Sequence, residues 1–424
     1  MIWGWCMTAA WATPASIGLV EALDHADLHN PRIEAATWET EGARAALRQA
    51  TGFAPDLKVS GSVVRFDRPI GSPIAGLDDP LLVRPQQFAT FSASAVAPLT
   101  GLVALSGGYQ ARRHQLQAQR HDERSLRDAV AVQVVEAYTG ALAAEALVEV
   151  TDAVVASLTS TRDRIAAFES AGLAQRTDVL RIGVALRDAE QSARSARRSL
   201  ELARRGLALV VGHDAESLVP EPVEPPDIEV PDLDEGLARV STRADVAAAE
   251  ESVAAARAGR RARIATLLPQ IDALAQFDAF SQIGVFGVPN QWQVALKADF
   301  DVFQLGRRNA TVRAATTKIR QAEVGSRALR ARAELDARAA WNRLASALES
   351  VEVAELQIAQ ASENLRLVDA RFEVQLASTA DRLDAEQLLA QSRVQEVVAR
   401  HEVIAALAGW QRQTALPIDP GGTP

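Results

Sequence analysis

The chain has 424 residues, of which 48% are hydrophobic, 23% are charged and only 5% are aromatic. This composition favours long helices over compact mixed cores. The formal net charge of -9 excludes nucleic acid as an expected partner, because phosphate binding needs a concentrated basic surface and the arginines here are interleaved with acids. No segment approaches the roughly 18 to 20 consecutive apolar residues of a membrane-spanning helix, so any membrane span is expected to be built from strands.

The N-terminal segment is apolar and contains an Ala-Trp-Ala sequence at residues 10–12, which suits signal-peptidase cleavage before Thr13. Residues 1–12 are therefore predicted to be a short signal peptide. No Lys or Arg precedes Arg32, although a signal usually begins with one, which leaves open a true start further upstream. An apolar N-terminus of a cytosolic protein is the alternative. The single cysteine, Cys6, falls in the removed segment, and a mature chain without cysteine is compatible with an oxidising periplasm.

Proline placement divides the rest of the chain. Proline is absent from residues 99–219 and again from 290–416, and each gap is long enough for an extended helical hairpin. The proline-rich segment 219–232 between them has no helical potential and is predicted to be an extended connector. The predicted domains are a first repeat at 13–218, a second repeat at 233–416 and a C-terminal tail at 417–424.

The two halves form an internal repeat. Matching landmarks lie 203 positions apart: Tyr138 and Trp341, Gly172 and Gln375, Asp178 and Asp381, and Leu180 and Leu383. Further upstream the separation is 214, between Pro55 and Pro269, so the first half carries extra residues. These fit a Pro/Gly/Asp-rich loop at 68–80. Each half is predicted to contain a helix, then a strand pair, then a long helical hairpin.

Alternation of apolar and polar residues predicts four strands, at about 57–67, 86–98, 270–282 and 291–303. Most of the eleven phenylalanines lie in or beside these strands, which suits a lipid-facing apolar band with interfacial aromatic residues. An ordinary soluble sandwich is the alternative. Two strand pairs are too few for an independent core, however, so the strands are expected to pair with other chains.

The segments after each strand pair have the heptad spacing of a coiled coil, as at Val130, Val134 and Ala141. They are predicted to form helical hairpins whose Ala-rich seams permit close helix approach. The predicted tips are at 172–178 and 375–381. Heptads alone would equally fit a filament or a soluble scaffold.

Five segments together resemble a known family: the opening helix at 19–33 with its Asn-Pro, its counterpart at 243–246, the strand-to-helix entry at 301–308, and the tips at 172–180 and 372–384. They are similar to the TolC-like outer membrane efflux proteins over nearly the whole mature chain. The resemblance implies a mainly α fold with β-strands, duplicated, with a strand pair and a long coiled-coil hairpin in each repeat. It also implies a trimer that closes a twelve-stranded outer membrane β-barrel continued by a twelve-helix periplasmic tunnel, with extracellular loops at 68–86 and 281–291.

The resemblance implies a passive exit duct of a tripartite efflux pump or type I secretion system, which is not an enzyme and needs no cofactor. The implied partners are further copies of the chain in a homotrimer, a periplasmic adaptor (membrane fusion) protein, an inner-membrane transporter and outer membrane lipid. A periplasmic coiled-coil adaptor or a scaffold protein is the alternative. The duplicated halves argue against the adaptor, and the Phe-rich strands argue against the scaffold.

The resemblance also assigns roles to the tips. The implied adaptor contacts are Gly172, Leu173, Ala174, Thr177, Asp178, Leu376, Ala377, Ser378 and Thr379. Asp381 and Asp384, three residues apart on one helix face, are implied to line a narrow entrance that favours cations. Tight turns and exposed helix-start acids favoured by the helix dipole are the alternative interpretations. Arg382 is expected to pair with a neighbouring helix, and Gln375 replaces the glycine expected at the second tip.

Motifs of catalysis and cofactor binding are absent from the sequence, among them Gly-x-Gly-x-x-Gly, Gly-x-x-x-x-Gly-Lys, Gly-x-Ser-x-Gly and His-Glu-x-x-His. His25 and His29 have the four-residue spacing of a metal-binding pair, and His114 and His121 are seven apart. Both pairs are interpreted as solvent-facing, because no third histidine or carboxylate completes a pattern. No metal is predicted.

Overall fold

The computed structural model describes residues 15–50, 56–73, 81–172, 174–214, 216–281, 290–300, 305–374 and 376–419. The chain forms two compact units. The helical unit comprises Met1–Glu39, Arg120–Ala247 and Ala328–Pro424, and the sheet unit comprises Thr40–Gln119 and Ala248–Arg327. The predicted signal peptide lies outside the described residues.

Long helices account for most of the described residues. The helices are α1 Leu19–His29, α2 Pro31–Ala50, α3 Gly101–Ser170, α4 Arg176–Val211, α5 Leu233–Arg239, α6 Ala244–Ala265, α7 Leu305–Glu373 and α8 Thr379–Gln413. The strands are β1 Ala15–Ile17, β2 Asp56–Arg65, β3 Ile70–Ser72, β4 Leu81–Arg84, β5 Gln87–Pro98, β6 Leu218–Pro220, β7 Gln270–Phe280 and β8 Asn290–Asp299. None of the helices in the described ranges is both long enough and apolar enough to cross a lipid bilayer.

The principal sheet joins the two repeats. Its order is β2-β5-β7-β8, and every neighbouring pair is antiparallel. Each repeat contributes a local strand pair, β2 with β5 and β7 with β8. The pairing of β5 with β7 connects the two, so a four-stranded sheet forms from one chain.

Two details of the strand predictions require correction. The segment at 68–86, expected as a loop because of its Pro, Gly and Asp content, contains the short hairpin β3–β4, in which Ser72 pairs with Leu81. The fourth strand, expected to reach 303, ends at Asp299. Most of the second predicted extracellular loop, 282–289, and residues 301–304 lie outside the described residues.

A short parallel strand pair, β1 with β6, was not predicted. It joins the start of the first repeat to the beginning of the proline-rich connector. Tyr138 of α3 is fully buried beside it, and its hydroxyl lies 3.0 Å from the carbonyl oxygen of Ile17 and 2.8 Å from that of Glu221. This burial raises the pKa of Tyr138 to about 12. Its repeat-related partner, Trp341 of α7, donates its indole N–H to the carbonyl oxygen of Pro231 at 2.8 Å. The two ends of the proline-rich connector are therefore held by equivalent aromatic residues.

The predicted seam of α3 packs in the core at its two ends. Val130, Val134 and Ala141 are buried, as are Leu158 and Ile165 nearer the first tip. The second repeat buries mainly alanine, at positions 333, 337, 347, 354 and 361. Small residues at heptad spacing allow the helix backbones to approach one another closely.

Candidate functional site

One face of the principal sheet is apolar over most of its length and turns polar only at one end, at Arg65, Gln87 and Asn290. The register aligns Trp292 of β8 with Phe277 of β7, Phe277 with Ala93 of β5, and Ala93 with Val59 of β2. The apolar part of this face, which we call the apolar face, consists of Leu57, Val59, Gly61, Val63, Ala89, Phe91, Ala93, Ala95, Ala97, Ile271, Ala273, Ala275, Phe277, Ala279, Trp292, Val294, Leu296 and Ala298. Its edge members are largely exposed, with Trp292 at 77% and Val294 at 71%. A continuous exposed apolar surface of this kind indicates a site of contact with another protein or with a membrane.

The opposite face, which we call the polar face, carries a network of amides and charges. The Gln276 side chain donates to both carboxylate oxygens of Asp278 at 3.0 Å, and the Gln293 amide donates to Gln276 at 3.1 Å. Lys297 pairs with Asp299 at 2.8 Å. The sheet therefore separates an apolar side from a side suited to water.

The two outer strands have open edges. Within the described part of the chain, β2 pairs only with β5 and β8 pairs only with β7. All ten residues of β8 are exposed. The unpaired N–H and C=O groups of such edges are a template for another strand. The sheet can therefore be extended by a further strand at both of its edges.

The first tip is a tight turn between α3 and α4. Gly172 adopts the left-handed conformation, with φ of 74°, which glycine tolerates without strain. Ala174 packs against the apolar cluster inside the hairpin, and Thr177 is exposed in the first turn of α4. The Asp178 carboxylate accepts the backbone N–H of Gln175 at 3.3 Å. Leu173 lies outside the described residues.

The second tip has the same capping arrangement 203 positions later. The Ser378 hydroxyl accepts the N–H of Asp381 at 3.2 Å, while the Asp381 carboxylate accepts the N–H of Ser378 at 2.8 Å. The Asp381 carboxylate also accepts a hydrogen bond from the Ser378 hydroxyl at 2.8 Å. The backbone N–H and the hydroxyl of Ser378, both donating to this carboxylate, hold the pKa of Asp381 below its ordinary range. Leu376 projects into solvent with 78% exposure, whereas Ala377 is half-buried and Thr379 is buried.

The proposed constriction residues differ in their surroundings. Asp381 is exposed but committed to the cap of α8, as the alternative interpretation of a helix-start acid anticipates. Asp384, three residues further along α8, is exposed as well. The side chain at 375 lies outside the described residues, so the consequence of Gln375 stays a prediction.

Arg382 lies between these acids in sequence but is buried, with 6% exposure. Its guanidinium donates to Asp369 of α7 at 2.6 Å, to Glu386 of its own helix at 3.1 Å, and to the hydroxyl of Thr161 in α3. The expected pairing of Arg382 with a neighbouring helix is therefore confirmed, and it extends to two helices. We call these four residues the Arg382 cluster.

Sequence reasoning did not identify the partners of Arg382. Glu386 is four residues after Arg382, and this spacing alone indicates a helix-face ion pair. Thr161 and Asp369 are 221 and 13 positions away, and only the packing of α3, α7 and α8 brings them to the guanidinium.

Comparison with known proteins supports these features. A family model described as outer membrane efflux protein matches residues 22–213 and 240–412. No curated protein sequence matches the chain. The two matched segments correspond to the two repeats and leave the connector between them.

Several solved structures share the fold. The Campylobacter jejuni CmeC outer membrane channel superposes with a TM-score of 0.83 at 14% identity, covering 95% of this chain and 86% of that one. The outer membrane protein VceC of Vibrio cholerae gives 0.80 at 17% identity, covering 95% and 97%. The Neisseria gonorrhoeae MtrE outer membrane channel gives 0.77 at 19% identity, covering 96% and 91%. Since the family model spans both repeats, the chain belongs to the outer membrane efflux protein family, a family of channel proteins.

Proposed function

We propose that the protein is a passive exit duct in the outer membrane, which acts as a homotrimer. An inner-membrane transporter drives export, and a periplasmic adaptor protein joins that transporter to the duct, in a tripartite efflux pump or a type I secretion system. The observation that carries the proposal is the amphipathic four-stranded sheet with two open edges.

The sheet accounts for the membrane part of the proposal. In a bilayer the apolar face would contact lipid and the polar face would line a water-filled lumen. The open edges of β2 and β8 cannot remain unpaired in hydrocarbon, because each unsatisfied backbone group there costs several kcal/mol. Three copies pairing β8 to β2 close a twelve-stranded barrel with every neighbouring pair antiparallel, and closure leaves no edge.

The tips account for the adaptor part of the proposal. Leu376, Thr177 and Gly172 are exposed where the hairpins turn, and small or apolar residues there permit close contact with the ends of another protein's helices. A charge at Leu173, introduced by Leu173→Asp, is expected to lower adaptor cross-linking and export without lowering the trimer yield.

Disulfide cross-linking between copies tests the trimer. Ser60 of β2 and Gln293 of β8 both lie on the polar face. In a chain carrying Cys6→Ser, Ser60→Cys is combined in turn with cysteine at positions 291, 293 and 295, so that three registers between copies are tested. Oxidation in the membrane should give a trimer band on a non-reducing gel, which reverts to monomer on reduction.

Ser94→Cys combined with Gln293→Cys is the matched control. Ser94 lies on the same face but in the central strand β5, so it cannot reach a neighbouring copy. Cross-links with Ser94→Cys but none with Ser60→Cys would contradict the proposal. So would recovery of the folded protein in the soluble fraction without detergent.

A further inference from the structure

The two faces of the principal sheet exchange their polarity at one end. β5 leads into α3 shortly after Pro98, so Gln87 marks the end of the sheet that is remote from this helix. At that remote end Arg65, Gln87 and Asn290 interrupt the apolar face. The polar face carries four apolar side chains at the same end, which we call the aromatic layer: Val64, Phe66, Phe88 and Phe280.

The strand register and the ring contacts place the aromatic layer on a single face. Val64 pairs with Phe88 across β2 and β5. Phe66 continues this ladder, since its N–H donates to a backbone carbonyl oxygen at 2.7 Å, and its ring centroid is 6.1 Å from that of Phe88. Phe280 of β7 pairs with Thr90, which makes it the diagonal neighbour of Phe88, within reach of an aromatic side chain. The layer therefore extends across the ends of three strands.

The short hairpin β3–β4 packs against this layer. The guanidinium of Arg84, at the end of β4, lies over the ring of Phe66, 3.6 Å from its centroid. A cation in this position is attracted by the face of the ring. Pro85, the next residue, is buried. Because Phe66 belongs to the polar face, the contact anchors the end of the hairpin on the same side of the sheet as the aromatic layer.

The aromatic layer is confined to the remote end of the polar face. A row nearer the helices is entirely polar and consists of Ser60, Ser92, Asp278 and Gln291. A face that only lines a water-filled lumen is expected to be polar throughout, as this row is. Half-buried phenylalanines beyond it therefore need an explanation other than contact with bulk water.

We propose that the aromatic layer forms a hydrophobic constriction at the outer opening of the duct, where it restricts the passage of water and hydrated solutes. The inference rests on the proposed trimer, in which the polar face lines the lumen. Each of the three copies would then place three phenylalanine rings around one opening. Apolar constrictions restrict conduction because they lose their water. The constriction is distinct from the entrance assigned to Asp381 and Asp384, which belong to the helical unit.

Cysteine labelling from outside the cell tests the constriction. In a chain carrying Cys6→Ser, Ser94→Cys places a thiol on the polar face of β5, on the helix side of the aromatic layer. A charged maleimide dye that is too large for general porins should label this thiol slowly in intact cells. Phe88→Ala/Phe280→Ala should raise the labelling rate several-fold, because it widens the opening and makes it less apolar.

Phe91→Ala/Phe277→Ala is the matched control. It removes two rings from the same strands, β5 and β7, but from the apolar face, so it should leave the labelling rate of Ser94→Cys unchanged. Thr177→Cys, at the first tip, should stay unlabelled in a chain with all its rings, which shows that the dye does not enter from the periplasm. The yield of trimer in mild detergent is measured for each variant, so that loss of assembly is not mistaken for a wider opening.

Two outcomes separate the constriction from the duct itself. Equal labelling rates in Phe88→Ala/Phe280→Ala and in the control would overturn the constriction and leave the aromatic layer as an anchor for the β3–β4 hairpin, while the duct stands. A thiol at position 94 that is unreactive in every variant, with trimer present, would contradict the assignment of the polar face to the lumen, and the constriction with it.

Discussion

The guanidinium of Arg382 is buried among three helices near the second tip, where its charge is balanced by Asp369 and Glu386. The Glu386 side chain is equally buried, with 7% exposure, whereas Asp369 is 35% exposed. An ion pair of this kind is most informative when one partner is removed, because the remaining charge is left without water.

Arg382→Ala should lower the free energy of unfolding by about 3–5 kcal/mol, because it leaves Glu386 buried and unpaired. Chemical denaturation followed by far-UV circular dichroism measures the change. Arg366→Ala is the control, since Arg366 forms an exposed pair with Glu363 on its own helix and should change nothing measurable. The double variant Arg382→Met/Glu386→Leu should recover most of the loss, and a double variant as unstable as Arg382→Ala would argue against an unpaired charge as the cause.

The two acids near the second tip have to be tested separately, because Asp381 caps α8. Asp384→Asn removes a charge without disturbing the cap, and in the proposed trimer it removes three carboxylates from the entrance. We expect a several-fold smaller cation preference and weaker block by multivalent cations in single-channel recordings. Asp188→Asn, about three turns into α4, is the matched control. Equal selectivity in both variants would return Asp384 to the role of an ordinary exposed acid.

At the scale of elements, the connector is held by one aromatic residue from each repeat. Tyr138 is fully buried and Trp341 is half-buried. The same kind of hydrogen bond therefore contributes differently to the stability of the protein at the two positions. Water can replace a lost donor beside Trp341 and at the exposed Glu221, but not at Ile17, which is buried.

Tyr138→Phe should therefore destabilise the helical unit by about 0.5–1.5 kcal/mol, because the carbonyl oxygens of Ile17 and Glu221 both lose the hydroxyl. The loss stays modest because the backbone N–H of Glu221 still donates to the carbonyl oxygen of Ile17 at 3.0 Å. Thermal unfolding gives the comparison with Tyr109→Phe. The Tyr109 side chain is half-buried, and its hydroxyl has no hydrogen-bond partner among the described residues. A loss of similar size in both variants would show that the hydroxyl of Tyr138 does not hold the connector.

Sequence reasoning was most successful where the pattern is local. Period-two alternation in β8 and the heptads of α3 identified which residues share a face, because that depends only on strand and helix geometry. The β1–β6 pair and the β3–β4 hairpin were not predicted. Ala15 pairs with Leu218, and no local pattern in a three-residue strand specifies a partner so distant. The partners of Arg382 were missed for the same reason.

At the scale of the whole molecule, the environment of the sheet distinguishes an assembled channel from an isolated protomer. Val294 and Gln293 are neighbours in β8, both exposed in the protomer, and they lie on opposite faces. If the protomer were isolated in water, a charged side chain should be tolerated equally well at positions 293 and 294. If the apolar face contacts lipid and the polar face contacts water, a charged side chain should be tolerated at position 293 but not at position 294.

Val294→Lys should reduce insertion into the outer membrane, with a cost of about 2–4 kcal/mol if the residue lies near the bilayer midplane. Gln293→Lys should insert normally. Membrane fractionation and the yield of trimer in mild detergent measure both. Equal insertion of the two variants would mean that the apolar face is not in contact with lipid.

The pairing of β5 with β7 also has a kinetic consequence. It joins residues far apart in sequence, from Pro98 with Asp272 to Thr90 with Phe280, whereas β2–β5 and β7–β8 are local pairs. Contacts of such long sequence separation form slowly, because the loop must close before the contact stabilises it. Because synthesis proceeds from the N-terminus, the β2–β5 hairpin is complete before β7 and β8 have been made. Until the β7–β8 hairpin follows, the edge of β5 that pairs with β7 has no partner strand. During that interval the newly made chain is most exposed to aggregation, so we expect its folding to depend on a chaperone that covers strand edges.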